Sequence, residues 1–385
     1  MWRAVASNAI TLLMVALFLL GGVILWGQSE YKAAGPLQEA ICLQVPRGST
    51  MARVSGDLQT QGAISNDVIF RLGADYTDKA QDLKAGSFLV PPGASMAEIV
   101  DIITRGGASS CGTEVVYRIG VARVTFELRE LDPATSRYVE KAEFDPAEGA
   151  MPEAFQQASA QAGTRHRVAL AEGVTSWQVV EGLKAIDLLQ GEVPELPAEG
   201  ALAPDSYEFQ AGDTRVEVLG RMAAAQDAIL AAAWEARAPG LPLNSPEEAL
   251  ILASIIEKET AVAEERRVVA SVFVNRLNRG MRLQTDPTVI YGITQGQGIL
   301  GRGLRQSELR RETPWNTYVI PALPPTPIAN PGRASIEAAL NPEQTDFVFF
   351  VADGTGGHVF AKTLAEHNAN VAKWRKIEAE RRAQD

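Results

Sequence analysis

The chain has little from which to build a metal centre: two cysteines and three histidines in 385 residues. Cys42 and Cys111 lack any Cys-x-x-Cys spacing, and two thiols alone do not complete a tetrahedral zinc site. His166, His358 and His367 are too scattered to form a metal motif. A surplus of basic residues is also missing. Lys and Arg number 36 against 47 Asp and Glu, a formal net charge of −11. That balance argues against a broad nucleic-acid footprint, which needs a basic face. The composition is otherwise that of a folded protein, 46% hydrophobic and 22% charged, and the length suffices for two or three domains.

Long apolar runs are absent with one exception. Residues 9–27 (AITLLMVALFLLGGVILWG) carry no charge, and about 20 helical residues cross a hydrocarbon core of about 30 Å. A soluble core helix of this length would show a polar face, and this run has none. A cleaved signal peptide would have a shorter apolar stretch and a small-x-small site; here Trp26, Gln28 and Tyr31 follow, two of them interfacial aromatics. The expectation is an uncleaved single-pass anchor at 9–27. Arg3 and the terminal amine precede the span, so the positive-inside rule puts residues 1–8 in the cytoplasm and everything beyond the span outside. An oxidising compartment there would allow a Cys42–Cys111 disulfide; two unpaired thiols fit the sequence equally well.

Beyond the span one pattern recurs: a strand-like residue, Gly, a hydroxyl residue, then an amphipathic helix. It appears at 45–50 (VPRGST), 90–95 (VPPGAS) and 170–175 (LAEGVT). Gly supplies the turn and Ser or Thr caps the helix that follows. Such units are common scaffolding; their repetition suggests small α+β modules of the LysM type. Residues 114–145 alternate apolar and polar positions and read as antiparallel strands, with a turn at Asp132-Pro133. Residues 146–165 read as a loop or weak helix, 193–204 as a Pro-rich connection, and 215–237 as an Ala-rich helix ended by Pro239-Gly240.

Residues 245–260 (SPEEALILASIIEKET) carry the chemistry. Ser245 at the N-cap, Pro246 at N1 and Glu248 at N3 predict a helix start with a capping box. On that helix Leu252, Ile255, Ile256 and Glu259 share one stripe, whereas Glu257 lies about 160° away, on a more polar face with Ser254. A carboxyl group against an apolar wall keeps its proton to higher pH, as a general acid requires. The competing reading pairs Glu259 with Arg276 or Arg282 in a structural ion pair. A second helix over 268–277 ends near Gly280. The segments 281–292 and 313–318 then collect amide, hydroxyl, carboxylate and aromatic groups suited to sugar binding. Residues 347–351 and 359–360 read as the strands of a hairpin about the turn 353–358.

Five segments in this order, LASIIEKET, ASVFVNRLNRGMRLQTDPTVIYG, ETPWNTY, LPPTPIANPG and FVFFVADGTGGHVF, resemble the MltG/YceG family of endolytic murein transglycosylases. The resemblance runs from about residue 200 to 372, with Pro204-Asp205-Ser206-Tyr207-Glu208-Phe209 at its start. It implies that Glu259 is the catalytic acid. It also implies that Gln284, Thr285, Asp286, Tyr291, Asn316, Tyr318 and His358 line the substrate cleft. Asn275 and Arg276 are equally readable as structural. The implied reaction is non-hydrolytic cleavage of the MurNAc–GlcNAc β-1,4 bond to 1,6-anhydro-MurNAc ends, with no metal and no cofactor. Ala322 and Thr326 replace glycines usual in the family, so a different backbone is expected there.

The expected fold class is α+β: a transmembrane helix, LysM-like modules, then a YceG-type catalytic domain distantly like lysozyme. The expected partition is a cytoplasmic 1–8, an anchor 9–27 and a LysM-like region 38–107. A strand-rich insertion 108–165, a strand-turn-helix module with linker 166–200, a catalytic domain 201–375 and a charged tail 376–385 follow. The implied partners are peptidoglycan glycan strands, cell-wall synthases and the membrane, with no nucleic acid. The implied location is the bacterial inner membrane, catalytic domain periplasmic. Two alternatives remain open in the sequence: a lysozyme-like hydrolase using Asp286 as second carboxylate, and a non-catalytic peptidoglycan-binding scaffold.

Overall fold

The uncharged N-terminal run folds within helix α1 (Trp2–Lys32), of which Thr11–Lys32 is long and apolar enough to cross a membrane. Its side chains from Leu12 to Trp26 lie outside any protein core. The structure is a computed structural model describing residues 2–46, 48–105, 111–135, 137–160 and 163–382. Two compact units emerge: Met1–Val115 with Glu127–Phe144 and Ala150–His166, and Val116–Phe126 with Asp145–Gly149 and Arg167–Asp385.

In the first unit α1 is followed by β1 (Ile41–Val45), α2 (Met51–Thr60), α3 (Asp67–Tyr76), β2 (Gly86–Val90) and α4 (Met96–Thr104). β1 and β2 pair antiparallel, with Leu43 opposite Phe88. Leu43, Val54, Leu58, Phe70, Ile99 and Ile103 form the core between this ribbon and the helices. The caps read from the sequence are present. Thr50 accepts from the N–H of Arg53, and Ser95 and Glu98 close a reciprocal capping box. The end of α1 packs into this core: Tyr31 is buried, and its ring occupies the space that a Cβ on Gly73 would need.

Cys42 and Cys111 form a disulfide, their Cα atoms 5.8 Å apart across 69 residues of sequence. The bond closes a long loop around the β1–β2 ribbon. Replacing both cysteines by serine is expected to cost roughly 2–4 kcal/mol of stability through the freed chain entropy of the unfolded state. Denaturant melts of oxidised protein and of the double variant would measure it; coincident curves would show the bond to be energetically idle.

The strand-rich segment forms β3 (Thr113–Ile119), β4 (Val124–Asp132) and β5 (Arg137–Phe144), followed by α5 (Glu153–Ala160), β6 (Arg165–Leu170), α6 (Ser176–Lys184) and β7 (Ser206–Phe209). The five strands stand in the order β5-β4-β3-β6-β7. The expected turn follows Asp132, whose carboxylate accepts from the N–H of Ala134 and the hydroxyl of Thr135. The third strand-turn-helix unit is β6–α6, where Thr175 and Gln178 form another capping box.

Then come α7 (Arg215–Glu235), α8 (Pro246–Glu259), α9 (Arg266–Asn278), α10 (Asp286–Thr294), the single turn α11 (Gln306–Leu309) and α12 (Arg333–Leu340). The hairpin β8 (Phe349–Ala352) and β9 (His358–Ala361) and the helix α13 (Leu364–Arg382) complete the chain. The expected 268–277 helix is α9, and the expected hairpin is β8–β9, paired antiparallel with Ala352 opposite His358. α13 continues through the stretch read as a charged tail as far as Arg382. Leu252, Ile255, Ile256, Val269, Phe273, Ile336 and Leu340 form the core around α8. Burying each such side chain contributes about 2 kcal/mol.

Candidate active site

α8 begins as its sequence dictates. The Ser245 hydroxyl accepts from the N–H of Glu248 at 3.3 Å, and Pro246 occupies the first turn. The capping box is not closed as expected. The Glu248 carboxylate accepts from the N–H of Asn244 at 2.6 Å rather than from that of Ser245.

Leu252, Ile255 and Ile256 are fully buried, as the stripe requires. The more polar face expected for Ser254 and Glu257 does not exist, because the 328–332 segment covers it. Ser254 is fully buried, donating to the carbonyl of Ile251 and accepting from the N–H of Ile328. Glu257 is 6% exposed in its side chain, accepts from the N–H of Gly332 at 3.0 Å and lies 4.0 Å from Arg266. It is thus occupied structurally by the 328–332 segment and Arg266, in contrast to Glu259.

Glu259 is the last residue of α8, at the negative end of the helix dipole, where an anion is disfavoured. Burial holds its pKa above the ordinary carboxyl range, and the nearby Asp286 raises it further. The hydroxyl of Thr285 donates to its Oε1, and His358 and Arg276 act on it electrostatically; these three oppose the rise. The competing ion pair with Arg276 does not form. The Arg276 guanidinium is buried and donates instead to the carbonyls of Val348, Arg282 and Leu283 at 2.6, 3.2 and 2.7 Å. Arg282 donates to the carbonyl of Tyr318.

Thr285 is fixed from behind. Its N–H donates to the Thr317 hydroxyl at 3.1 Å, that hydroxyl meets the Thr288 hydroxyl at 2.8 Å, and Thr288 donates to the carbonyl of Thr285. All three threonines are buried. Gln284, exposed and at φ 51, takes the left-handed conformation that turns the chain into this network. Thr285→Val removes the one hydroxyl that steadies the charged form of Glu259. The alkaline limb of the pH–rate profile is therefore expected to move to higher pH, with the protein still folded. A limb that moves to lower pH, or stays put, would contradict this role for Thr285.

The other expected site residues divide into three groups. Tyr318 donates to Asp286 Oδ1 at 2.6 Å, and burial and the Asp286 and Glu259 carboxylates push its phenol pKa up. His358 joins this group at the start of β9. Tyr291 belongs to an adjoining cluster. Burial raises its pKa, with the Glu199 carboxylate adding to the rise and Thr326 opposing it, and its ring lies 5.8 Å from Trp315. Trp315 Nε1 donates to Thr326 Oγ1 at 3.0 Å. Asn316 is fully buried. Its Nδ2 donates to the carbonyls of Glu308, Leu309 and Arg311 while its Oδ1 accepts from the N–H of Tyr318, which makes it a strut for the loop.

Sequence reasoning missed Thr288, Thr317, Glu199 and Glu265. Thr288 and Thr317 lie within the polar segments 281–292 and 313–318, and Thr288 stands at helical spacing from Thr285; Glu199 and Glu265 carry no such signal.

The sequence model of the YceG-like family matches residues 43–373. The chain belongs to that family. Among relatives it resembles proteins named endolytic murein transglycosylase. One from Bacillus subtilis is 27% identical over 92% of this chain and 91% of its own length. One from Streptococcus pneumoniae is 30% identical over 86% of this chain, which spans 58% of that longer protein. A crystal structure of a yceG-like protein from Listeria monocytogenes aligns with 86% of this chain and 99% of its own, at 26% identity and a TM-score of 0.46. The YceG-like match takes in the β1–β2 ribbon from residue 43 as well as α8 and the β8–β9 hairpin.

Proposed function

We propose that this protein is a peptidoglycan lytic transglycosylase in which Glu259 serves first as acid and then as base. The observation that carries the reading is a desolvated carboxyl group at the end of α8, its proton retained by burial and its geometry fixed by Thr285. The names of the relatives supply the substrate class.

In the first half-reaction Glu259 gives its proton to the glycosidic oxygen. The bond from MurNAc C1 to that oxygen breaks, and GlcNAc leaves with a free 4-hydroxyl. The MurNAc C6 hydroxyl then attacks C1 and returns its proton to the Glu259 carboxylate. No water is consumed, and the product end is 1,6-anhydro-MurNAc. One carboxylate suffices, because the nucleophile belongs to the same sugar and is already positioned. Thr285, Asp286, Tyr318 and His358 surround the acid as candidate sugar contacts, with Gln284 and Tyr291 beside them; Asn316 shapes the loop that carries Tyr318.

A lysozyme-like hydrolase would need Asp286 to activate water across the sugar. The Tyr318 hydroxyl already occupies Asp286 Oδ1, so that oxygen is engaged by the protein and not turned to a water, which favours the transglycosylase. A purely binding scaffold would leave Glu259 fully exposed or ion-paired, and it is neither.

The remaining parts of the reading are a single-pass anchor through α1 with the rest of the chain periplasmic, glycan-binding LysM-like modules before a distantly lysozyme-like catalytic region, and association with cell-wall synthases. The partition stated from the sequence, with a catalytic domain at 201–375, belongs to the same proposal.

Mass spectrometry of glycan ends released by the detergent-solubilised full chain tests the chemistry. Anhydro-muramoyl ends are expected. Reducing ends would instead establish hydrolysis.

A further inference from the structure

Glu265 has no place in the mechanism so far, yet it touches two of the elements that build the site. It lies between α8 and α9, and its carboxylate closes on the start of β9. Oε1 accepts from the main-chain N–H of His358 and Oε2 contacts His358 Nδ1, both at 2.8 Å. The hydroxyl of Thr260, the residue after Glu259, lies 3.5 Å from the same Oε2. Both side chains are nearly enclosed, with 16% exposure for His358 and 18% for Glu265. Gly357 makes room for the grip, since a Cβ there would stand 2.6 Å from Glu265 Oε1.

The chemistry of the contact fixes the ring. A carboxylate oxygen only accepts, so the proton of this hydrogen bond sits on Nδ1. The imidazole is also held edge-on to Phe350, ring centroids 5.3 Å apart. Among the described residues no protein hydrogen bond engages Nε2, which leaves that nitrogen for a substrate group. Two further carboxylates face the ring electrostatically, Glu259 and Asp353; the latter is already occupied by the N–H groups of Thr355 and Gly357 and the Thr355 hydroxyl.

We propose that Glu265 is a positioning residue that locks His358 in its Nδ1–H form and aims Nε2 at the sugar beside Glu259. The proposal rests on the reading of Glu259 as catalytic acid. The two-point grip needs two acceptors, which only a carboxylate supplies. A glutamine of the same size offers one acceptor and one donor, and the donor meets either the N–H of His358 or its Nδ1–H.

The test is a double-variant cycle on the full chain, with Glu265→Gln, His358→Gln and the pair, assayed for glycan cleavage against Glu259→Gln. Each single variant is expected to lower kcat by roughly 10- to 100-fold with KM little changed. The pair should be no slower than the worse single variant, because both remove the same function. Gly357→Ala provides an independent variant, since its methyl displaces the carboxylate without removing it; an intermediate loss of kcat is expected. Nitrogen-15 spectra of labelled histidine should show the Nδ1–H form of His358 in the parent protein and a changed tautomer balance in Glu265→Gln. Wild-type turnover in folded Glu265→Gln, or losses that multiply in the pair, would overturn the proposal. Undiminished cleavage by Glu259→Gln would instead sink the underlying mechanism, so the two failures are separable.

Discussion

Glu259→Gln is expected to lower the rate of glycan cleavage by about 10³–10⁴-fold and, at the same time, to stabilise the fold. General acid–base assistance is worth about 10²–10⁴-fold, and a group used in both halves of the reaction should lie toward the upper end. Gln keeps the size of the side chain and an oxygen for Thr285, so the loss isolates the proton. The stability effect follows from linkage. The folded-state pKa of Glu259 lies above its ordinary value, so the folded protein binds more protons than the unfolded chain between those two values. Stability therefore falls as pH rises through that window, and the deficit stays complete above it. Gln has no proton to lose and escapes the penalty. Thermal melts of both proteins should coincide at pH below the ordinary carboxyl value and separate in favour of Glu259→Gln as pH rises. Stabilising an enzyme by removing its acid is the usual trade between activity and stability. A variant that is inactive and also less stable at neutral pH would mark Glu259 as a structural residue.

The parts of this site legible in the sequence were those encoded by local period and local chemistry. The buried stripe that ends at Glu259 is legible in the 3.6-residue repeat of Leu252, Ile255 and Ile256, and the helix start in Ser245 and Pro246. The strand-turn-helix units were found from their Gly and hydroxyl pairs. Glu257 was misplaced because periodicity reports a polar residue without saying whether a distant segment covers it. The N–H of Gly332, 75 residues on, turns its face into an interior. Asn316 shows a further limit of residue type as a guide. Its residue type suits a sugar, but three main-chain carbonyls of its own loop take up its amide. Glu265 was invisible, since its partner His358 lies 93 residues away and a Glu-Glu-Arg run at a helix start is more simply a solvated or dipole-matching sequence. The disulfide was undecided because cysteine count alone does not fix proximity. Apart from Asn316, whose partners lie within its own loop, the missing information is a long-range contact, not a local preference.

Arg276→Met should be the most damaging substitution in the second unit for stability. The side chain is 7% exposed and its three hydrogen bonds all end on main-chain carbonyls. Those carbonyls belong to the segment leading into Thr285 and to Val348 before β8, so one guanidinium ties both to α9. It also stacks over the Phe349 ring at 5.3 Å. Met fills a similar volume but leaves the carbonyls without a donor. At about 1–3 kcal/mol for each buried group left unsatisfied, the loss should be on the order of 4 kcal/mol. Lys should recover little, because a single ammonium cannot reproduce a planar fork reaching carbonyls on two sides. The same change withdraws a positive charge from the neighbourhood of Glu259, so the carboxyl pKa should climb further in whatever fraction remains folded. Denaturant melts of the parent, Arg276→Met and Arg276→Lys would measure the first effect. The pH–rate profile of the folded fraction would measure the second, with its alkaline limb moved upward. A loss below about 1 kcal/mol would mean that water or a rearranged loop satisfies the carbonyls, and that Arg276 is not the tie between α9 and the acid's surroundings.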